Sequence, residues 1–287
     1  MTKEEIFKKL DTEVKLRGLS PGTYKTYKHS INLFLSWVGK PYELLEERDF
    51  REYLIYLVNR GNLKRNTINM YNAAVRFLFQ VLLEKDINYR RTARLRNTFT
   101  LPTVWSIKEV ERFLSVITNL RDRAIFLNIY GSGLRVSEIC TLTVPDIDSG
   151  NMRIRIRQGK GHKDRFTILS HAGLLALREY WKACHPASPG NYLFPGKTAN
   201  GHLSTGQVEN LFRRYLSRAN IATPATVHTL RHCFATHALE AGIDILCLKR
   251  LLGHSTFETT NVYLHLTNTT VYRTNSPADG LHLQGEY

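Results

Sequence analysis

Met152-Arg153-Ile154-Arg155-Ile156-Arg157 is followed by Gln158-Gly159-Lys160-Gly161-His162-Lys163-Asp164 and then by Arg165-Phe166-Thr167-Ile168-Leu169. The first run alternates apolar and basic residues, the period-two pattern of a half-buried strand. The last run reads as its partner. Lys160, flanked by glycines, falls on the basic tip of the hairpin between them. On either side of this hairpin the apolar residues recur at helical rather than strand spacing. The fold class is therefore mainly α with a small β-sheet: an N-terminal helical domain, then an α+β domain.

N-terminal to the hairpin, Ser20-Pro21 reads as a helix start, a capping hydroxyl followed by proline at the first helical position. Tyr24, Tyr27, Ile31, Phe34, Leu35 and Val38 follow on one face, and Gly39 ends the run. Phe50, Tyr53, Leu54 and Leu57 mark a second helix. A third opens at Asn66 or Thr67 and buries Ile68, Tyr71, Val75, Leu78, Phe79 and Leu82. Its other face carries Asn69, Asn72 and Arg76, preceded by Lys64 and Arg65. Residues 93–103 have no period, include Arg94, Arg96 and Pro102, and read as a linker able to lie against phosphates. Residues 1–92 then form the helical domain, 104–270 the second domain and 271–287 a polar tail. Ser106 with Glu109, Ser204 with Gln207, and Ser255 with Glu258 read as capping boxes.

The chain has 287 residues and a formal net charge of +15. About +8 falls in residues 1–100 and about +7 in the remainder, so the charge is not confined to one tail. That distribution suits a long polyanion held along the whole molecule. No apolar run reaches the ~20 residues needed to cross a bilayer. The N-terminus has no secretory leader pattern. Cys140, Cys184, Cys233 and Cys247 have no paired CxxC spacing and no zinc-finger spacing, so they read as free thiols in a reducing cytoplasm.

Six residues carry the chemistry: Arg135, Lys160, His228, Arg231, His254 and Tyr263. Attack on a phosphodiester builds negative charge on the non-bridging oxygens, which two always-charged guanidinium forks can receive. Arg135 and Arg231 are the candidates. Arg231 lies three residues after His228, so on a helix the two share a face. Gly253 reads as a helix cap, which puts His254 in the joint between two helices. A phenol with a reference pKa of ~10 is a weak nucleophile and needs positive charge and a proton acceptor nearby. Lys160 could donate a proton to the leaving sugar oxygen. Tyr263 would then hold the broken strand as a phosphotyrosine, which a second hydroxyl can reseal. With arginines neutralising the phosphate, no metal or cofactor is expected.

At these residues the chain resembles the tyrosine recombinases of the phage integrase family, and in particular its Xer-like and transposon-type members. The resemblance is carried by Ser132-Gly133-Leu134-Arg135-Val136-Ser137-Glu138-Ile139, Gly159-Lys160-Gly161-His162-Lys163-Asp164-Arg165, and His228-Thr229-Leu230-Arg231-His232 running on to His237. It is completed by Leu251-Leu252-Gly253-His254-Ser255 with Thr259 through Tyr263. It spans about residues 5–270.

The resemblance implies a helical core-binding domain and a catalytic domain that clamp DNA. Arg135 and Arg231 would hold the scissile phosphate, and Lys160 would act as general acid. His228 would assist proton transfer at the tyrosine, His254 would stabilise the transition state, and Tyr263 would attack. It further implies a 3′-phosphotyrosyl link, a tetramer on double-stranded DNA with inverted-repeat arms, and strand exchange through a Holliday junction. A second recombinase or an accessory protein is a further possible partner; a membrane is not. The expected location is the cytoplasm, on the nucleoid. Cys233 stands where the family commonly has a smaller residue, which raises a question of thiol sensitivity.

Two other functions fit parts of the pattern. A type IB topoisomerase-like enzyme shares the chemistry but would relax DNA lacking any specific site. A catalytically silent DNA-binding regulator would bind without cleaving. For sequence reading, the expected residues are Lys64 and Arg65 just before the third helix, Asn69 and Arg76 on it, and Arg213 and Arg214 on the helix before the His228 box.

Overall fold

A computed structural model describes residues 2–88, 90–96, 101–157, 164–186, 190–196, 201–253, 260 and 263. The described chain is mostly helical with one three-stranded sheet, and it divides into two compact units, Met1–Phe99 and Thr100–Tyr287. No helix among the described residues is long and apolar enough to cross a membrane.

The first unit contains α1 (Lys3–Leu16), α2 (Pro21–Val38), α3 (Glu47–Asn59) and α4 (Arg65–Phe77), which runs on into a π-helical turn over Leu78–Leu82. The start of α2 is the expected cap: the Thr23 amide donates to Ser20 Oγ at 3.1 Å. Its end is Gly39, whose φ of 63° favours a residue without Cβ. α4 begins at Arg65, slightly before the expected Asn66 or Thr67, because Lys64 takes the cap position without any side-chain cap. Ile6, Leu10, Phe34, Phe50, Val75 and Phe79 form the buried centre.

The chain after α4 folds back onto that helix. Asn69 clasps Leu95 with both ends of its amide, donating to the carbonyl at 2.9 Å and accepting from the N–H at 2.8 Å. Asn72 Nδ2 donates to Thr92 O at 2.9 Å, and Arg76 Nη2 donates to the same carbonyl at 2.5 Å. Asn69 and Arg76, expected as base readers, thus engage the chain's own backbone. Lys64, Arg65, Arg94 and Arg96 are exposed.

The second unit contains α5 (Ile107–Ser115), α6 (Leu120–Ser132), α7 (Val136–Cys140), β1 (Ile147–Asp148), β2 (Arg153–Ile156), β3 (Arg165–Ile168), α8 (His171–Cys184), α9 (Thr205–Ala219), α10 (Val227–Glu240) and α11 (Ile245–Leu252). Trp105, Phe113, Phe126 and Phe212 pack together in its core, Trp105 stacked on Phe212 and Phe113 edge-on to Phe126. Capping boxes start α5 at Ser106 and α9 at Ser204. The Ser255–Glu258 pair lies outside the described residues, as does the tail.

The sheet runs β1-β2-β3, antiparallel throughout. β2 behaves as its alternation predicts, with Ile154 and Ile156 buried and Arg153 and Arg155 exposed. β3 reverses the simple hydrophobic rule. Thr167 is buried, while Phe166 and Ile168 are exposed. The cause is its partners: Thr167 Oγ1 donates to Ser132 O at 2.7 Å, and the Arg153 guanidinium lies 4.5 Å over the Phe166 ring. Pairing of Ile156 with Arg165 puts Arg165 on the inward face, where it meets Glu138.

Candidate active site

α6 stops at Gly133, which has a φ of 63°. A Cβ there would lie 2.4 Å from the Phe234 ring and 3.0 Å from Leu252, so the close approach of α6, α10 and α11 requires glycine. Two residues later Arg135 opens α7. Its amide donates to Glu138 Oε2 at 2.8 Å and its Nη1 donates to Oε1 at 2.7 Å. Arg165, from the start of β3, forms a bidentate pair with the same carboxylate at 2.7 and 2.8 Å. Arg231, on α10, stands 3.8 Å from Glu138 Oε2 and is only 3% exposed. One buried carboxylate thus organises three guanidinium groups.

A second device holds these cations. The last carbonyls of a helix have no intrahelical partner and carry the negative end of its dipole. Arg165 Nε donates to Leu251 O at 2.9 Å, Arg231 Nη2 to Leu252 O at 2.7 Å, and Arg135 Nη2 to Gly253 O at 3.4 Å. Three successive carbonyls at the end of α11 are therefore occupied by three arginines. Arg231 Nη1 also donates to Gly133 O, the carbonyl just past α6, at 2.5 Å. The chain leaves α11 from this anchored end and carries His254 and Tyr263 downstream.

The electrostatics follow from this crowding. Burial works against the charge of Glu138, but the Arg165 fork and then the Arg135 amide and charge prevail, holding its pKa at about 2. Burial, then the neighbouring Arg135, push Arg231 down to about 10 despite Glu138. Among the described residues of the cluster, three cations face one anion, a surplus suited to a further anion.

Tyr263 is 3% exposed and packs with Phe234, Ala238, Leu248 and Leu252. Burial raises the pKa of its phenol, opposed by the charges of Arg231 and Arg135. Its Oη lies 2.9 Å from Nδ1 of His232. His228, one turn earlier on α10, meets the His232 ring edge-on at 6.0 Å between centroids. Desolvation, then Arg231 and Arg135, lower the pKa of His228. Burial, then His228 and Arg231, bring His232 down to about 4.

The structure therefore brings Arg135, His228, Arg231 and Tyr263 into one neighbourhood. Lys160 and His254 lie outside the described residues. The base of the Lys160 hairpin is fixed beside the cluster, because β3 begins with Arg165 itself. Glu138, Arg165 and His232 are the members that residue-by-residue reading missed. Cys233 is buried, accepts the Trp105 amide at 3.2 Å, and has its thiol pushed up to about 11 by burial. A thiol so protonated is a poor nucleophile.

A cleft of about 430 Å³ opens beside His228, lined by Val136, Glu209, Phe212, Arg213 and Thr226. On α9, Arg213, Arg214 and Arg218 are exposed. Arg214 and Arg218 both lie against the Tyr215 ring, at 5.2 and 5.7 Å from its centre. Arg214 also stands 3.5 Å from the buried Asp122.

Residues 105–270 match the Phage integrase family, and residues 6–89 match its N-terminal SAM-like domain. A Sinorhizobium fredii protein with the provisional name integrase/recombinase y4qK is 37% identical, over 94% of this chain and 87% of its own length. The tyrosine recombinase XerA of Thermococcus kodakarensis is 35% identical, over 92% of this chain and 91% of its own length. Among solved structures, XerH site-specific recombinase bound to palindromic difH substrate in a post-cleavage complex superposes with a TM-score of 0.70 at 21% identity. That match covers 90% of this chain and 80% of the XerH chain.

Proposed function

The chain belongs to the phage integrase family as a Xer-like tyrosine recombinase, an enzyme of site-specific DNA strand breakage and rejoining, and from that premise we propose that Tyr263 is its nucleophile. Arg135 and Arg231 hold the scissile phosphate, with Arg165 and Glu138 fixing their forks. Attack by Tyr263 Oη forms a 3′-phosphotyrosyl bond and releases a 5′-hydroxyl. Lys160 supplies the proton to that leaving oxygen, and His254 stabilises the transition state; both assignments rest on the family resemblance. Residues 1–92 act as the core-binding half and 104–270 as the catalytic half. Exchange proceeds through a Holliday junction in a tetramer on DNA with inverted-repeat arms. Lys64, Arg65, Arg213 and Arg214 are its contacts to the duplex.

The observation that carries this reading is the charge balance around Glu138. Arg135, Arg165 and Arg231 sum to three positive charges against a single carboxylate, with a buried phenol alongside. A phosphodiester enters with one negative charge and approaches two in the transition state. The surplus of two cations matches the transition state better than the ground state, which is the condition for acceleration. The test is a suicide duplex whose leaving strand is lost after cleavage. Tyr263→Phe should form no covalent adduct while binding the duplex as tightly as the unaltered protein. An adduct surviving this change would reject Tyr263.

A further inference from the structure

We propose that His232 is the proton acceptor for the attacking phenol, because its Nδ1 is the ring nitrogen that faces Tyr263 Oη at hydrogen-bonding distance. This inference rests on Tyr263 being the nucleophile and names the group that activates it. The resemblance points instead to His228. That residue lies one turn earlier on α10, with its ring against the edge of His232.

The contact has the geometry of a proton-transfer pair. The two heavy atoms are 2.9 Å apart, and the rings are tilted at 47° with centroids at 5.8 Å. The rings are therefore joined through their polar edges rather than stacked face to face. Tyr263 is 3% exposed, so bulk water is poorly placed to take its proton. For Nδ1 to accept, the imidazole is neutral with its own proton on Nε2. In the step itself the Oη–phosphorus bond forms, the phosphorus–O5′ bond breaks, and the phenol proton passes to Nδ1. The leaving O5′ takes its proton from the separate acid assigned to Lys160, so protons balance across the site. On resealing, the histidinium returns its proton to the departing phenolate.

The surroundings adjust the strength of this base to occupancy. Among the described residues, the charged and titratable groups of the site are Arg231 and His228 on α10, Arg135 and Glu138 at α7, Arg165 from β3, and Tyr263 itself, and His228 and Arg231 act most directly on His232. Burial and the nearby positive charge keep His232 unprotonated in the empty site. A phosphodiester seated on Arg231 cancels part of that positive field. The imidazole then becomes a stronger base only when there is a phosphate to attack.

The experiment measures single-turnover adduct formation on the suicide duplex, with O5′ at the scissile position either left as oxygen or replaced by sulfur. A thiolate leaves without a proton, so the sulfur substrate bypasses the acid and leaves the base requirement intact. His232→Asn can still accept a hydrogen bond near the Nδ1 position but cannot take a proton; His232→Ala can do neither. Both should slow adduct formation by about 10²-fold or more, on oxygen and sulfur substrates alike, with duplex affinity unchanged. Full rate in His232→Asn, or recovery of either variant on the sulfur substrate, would overturn the proposal. Unaltered protein labelled with ¹⁵N-histidine supplies a reading independent of variant folding. His232 should show an unprotonated Nδ1 whose resonance moves in Tyr263→Phe, and a protonated Nδ1 would overturn the assignment. If Tyr263→Phe abolishes the adduct while the His232 variants cleave normally, only this inference fails. If Tyr263→Phe still forms the adduct, the underlying reading fails.

Discussion

Replacing Glu138 with glutamine tests how the arginine cluster is held. The carboxylate is 8% exposed and meets Arg135 at 2.7 Å and Arg165 at 2.7 Å. Its pKa falls from the ordinary 4.5 to about 2. A pKa difference of one corresponds to ~1.4 kcal/mol, so the charge of Glu138 contributes about 3 kcal/mol to stability at neutral pH. Removing one partner from a buried ionic network costs a similar ~3–5 kcal/mol, because the cations left behind are still buried. The sign follows from linkage. A depressed carboxylate stabilises the fold above its unfolded pKa near 4.5, and that contribution is lost as pH falls toward 2. Glu138→Gln should therefore be about 3 kcal/mol less stable than the unaltered protein at pH 7, with the gap closing steadily below pH 4.5. Urea titrations followed by tryptophan fluorescence measure it. In a Trp37→Phe background the remaining Trp105 and Trp181 both report on the unit that begins at Thr100. A gap under about 1 kcal/mol at pH 7, or one that does not narrow in acid, would refute the account of Glu138 as the organiser of the cluster.

Gly133→Ala should cost about 2–4 kcal/mol from left-handed backbone strain and the clash with Phe234, seen as a lower thermal midpoint for the second unit. Arg231→Lys should reduce adduct formation by about 10²-fold or more at unchanged duplex affinity, because one ammonium cannot replace a fork spanning Gly133 O and Leu252 O. Asn72→Ala, which removes bonds to Thr92 O and Ala93 O, should speed tryptic cleavage after Arg94 and Arg96 by about tenfold, read on a gel time course. Changing Arg213, Arg214 and Arg218 to alanine together should weaken duplex binding. The slope of log affinity against log salt should fall by about 0.9 for each phosphate these arginines neutralise.

The parts of this fold that could be read from residues alone are those governed by local chemistry. Ser20-Pro21, Ser106 with Glu109 and Ser204 with Gln207 cap helices through contacts three residues away, so the sequence contains both partners. Ile154 and Ile156 declare their face by period alone. β3 resists that rule because its inward face is chosen by distant groups: Thr167 by the Ser132 carbonyl and Arg165 by Glu138. A strand with a threonine and an arginine turned inward has no alternation to detect. Its only sequence trace is register, since an arginine paired opposite a buried isoleucine must share that residue's side of the sheet.

The site divides along the same line. Arg135, Arg231 and Tyr263 stand out because few other roles unite such residues in this order. Glu138, three residues after Arg135, has the spacing of an ordinary surface pair on a helix, worth a few tenths of a kcal/mol. Burial turns that spacing into the hub of the cluster, and burial is a property of the whole fold. His232 did leave a local signal, four residues after His228 and hence on the same face of α10. What the spacing could not say is which of the two histidines meets the phenol. That depends on where Tyr263 comes to lie relative to α10, while the end of α11 that precedes it is held by three arginines on Leu251, Leu252 and Gly253. The side chains that would hold the phosphate also anchor the segment that carries its attacker. A change that loosens the grip should therefore misplace the nucleophile as well as the phosphate, and the two losses should not add independently.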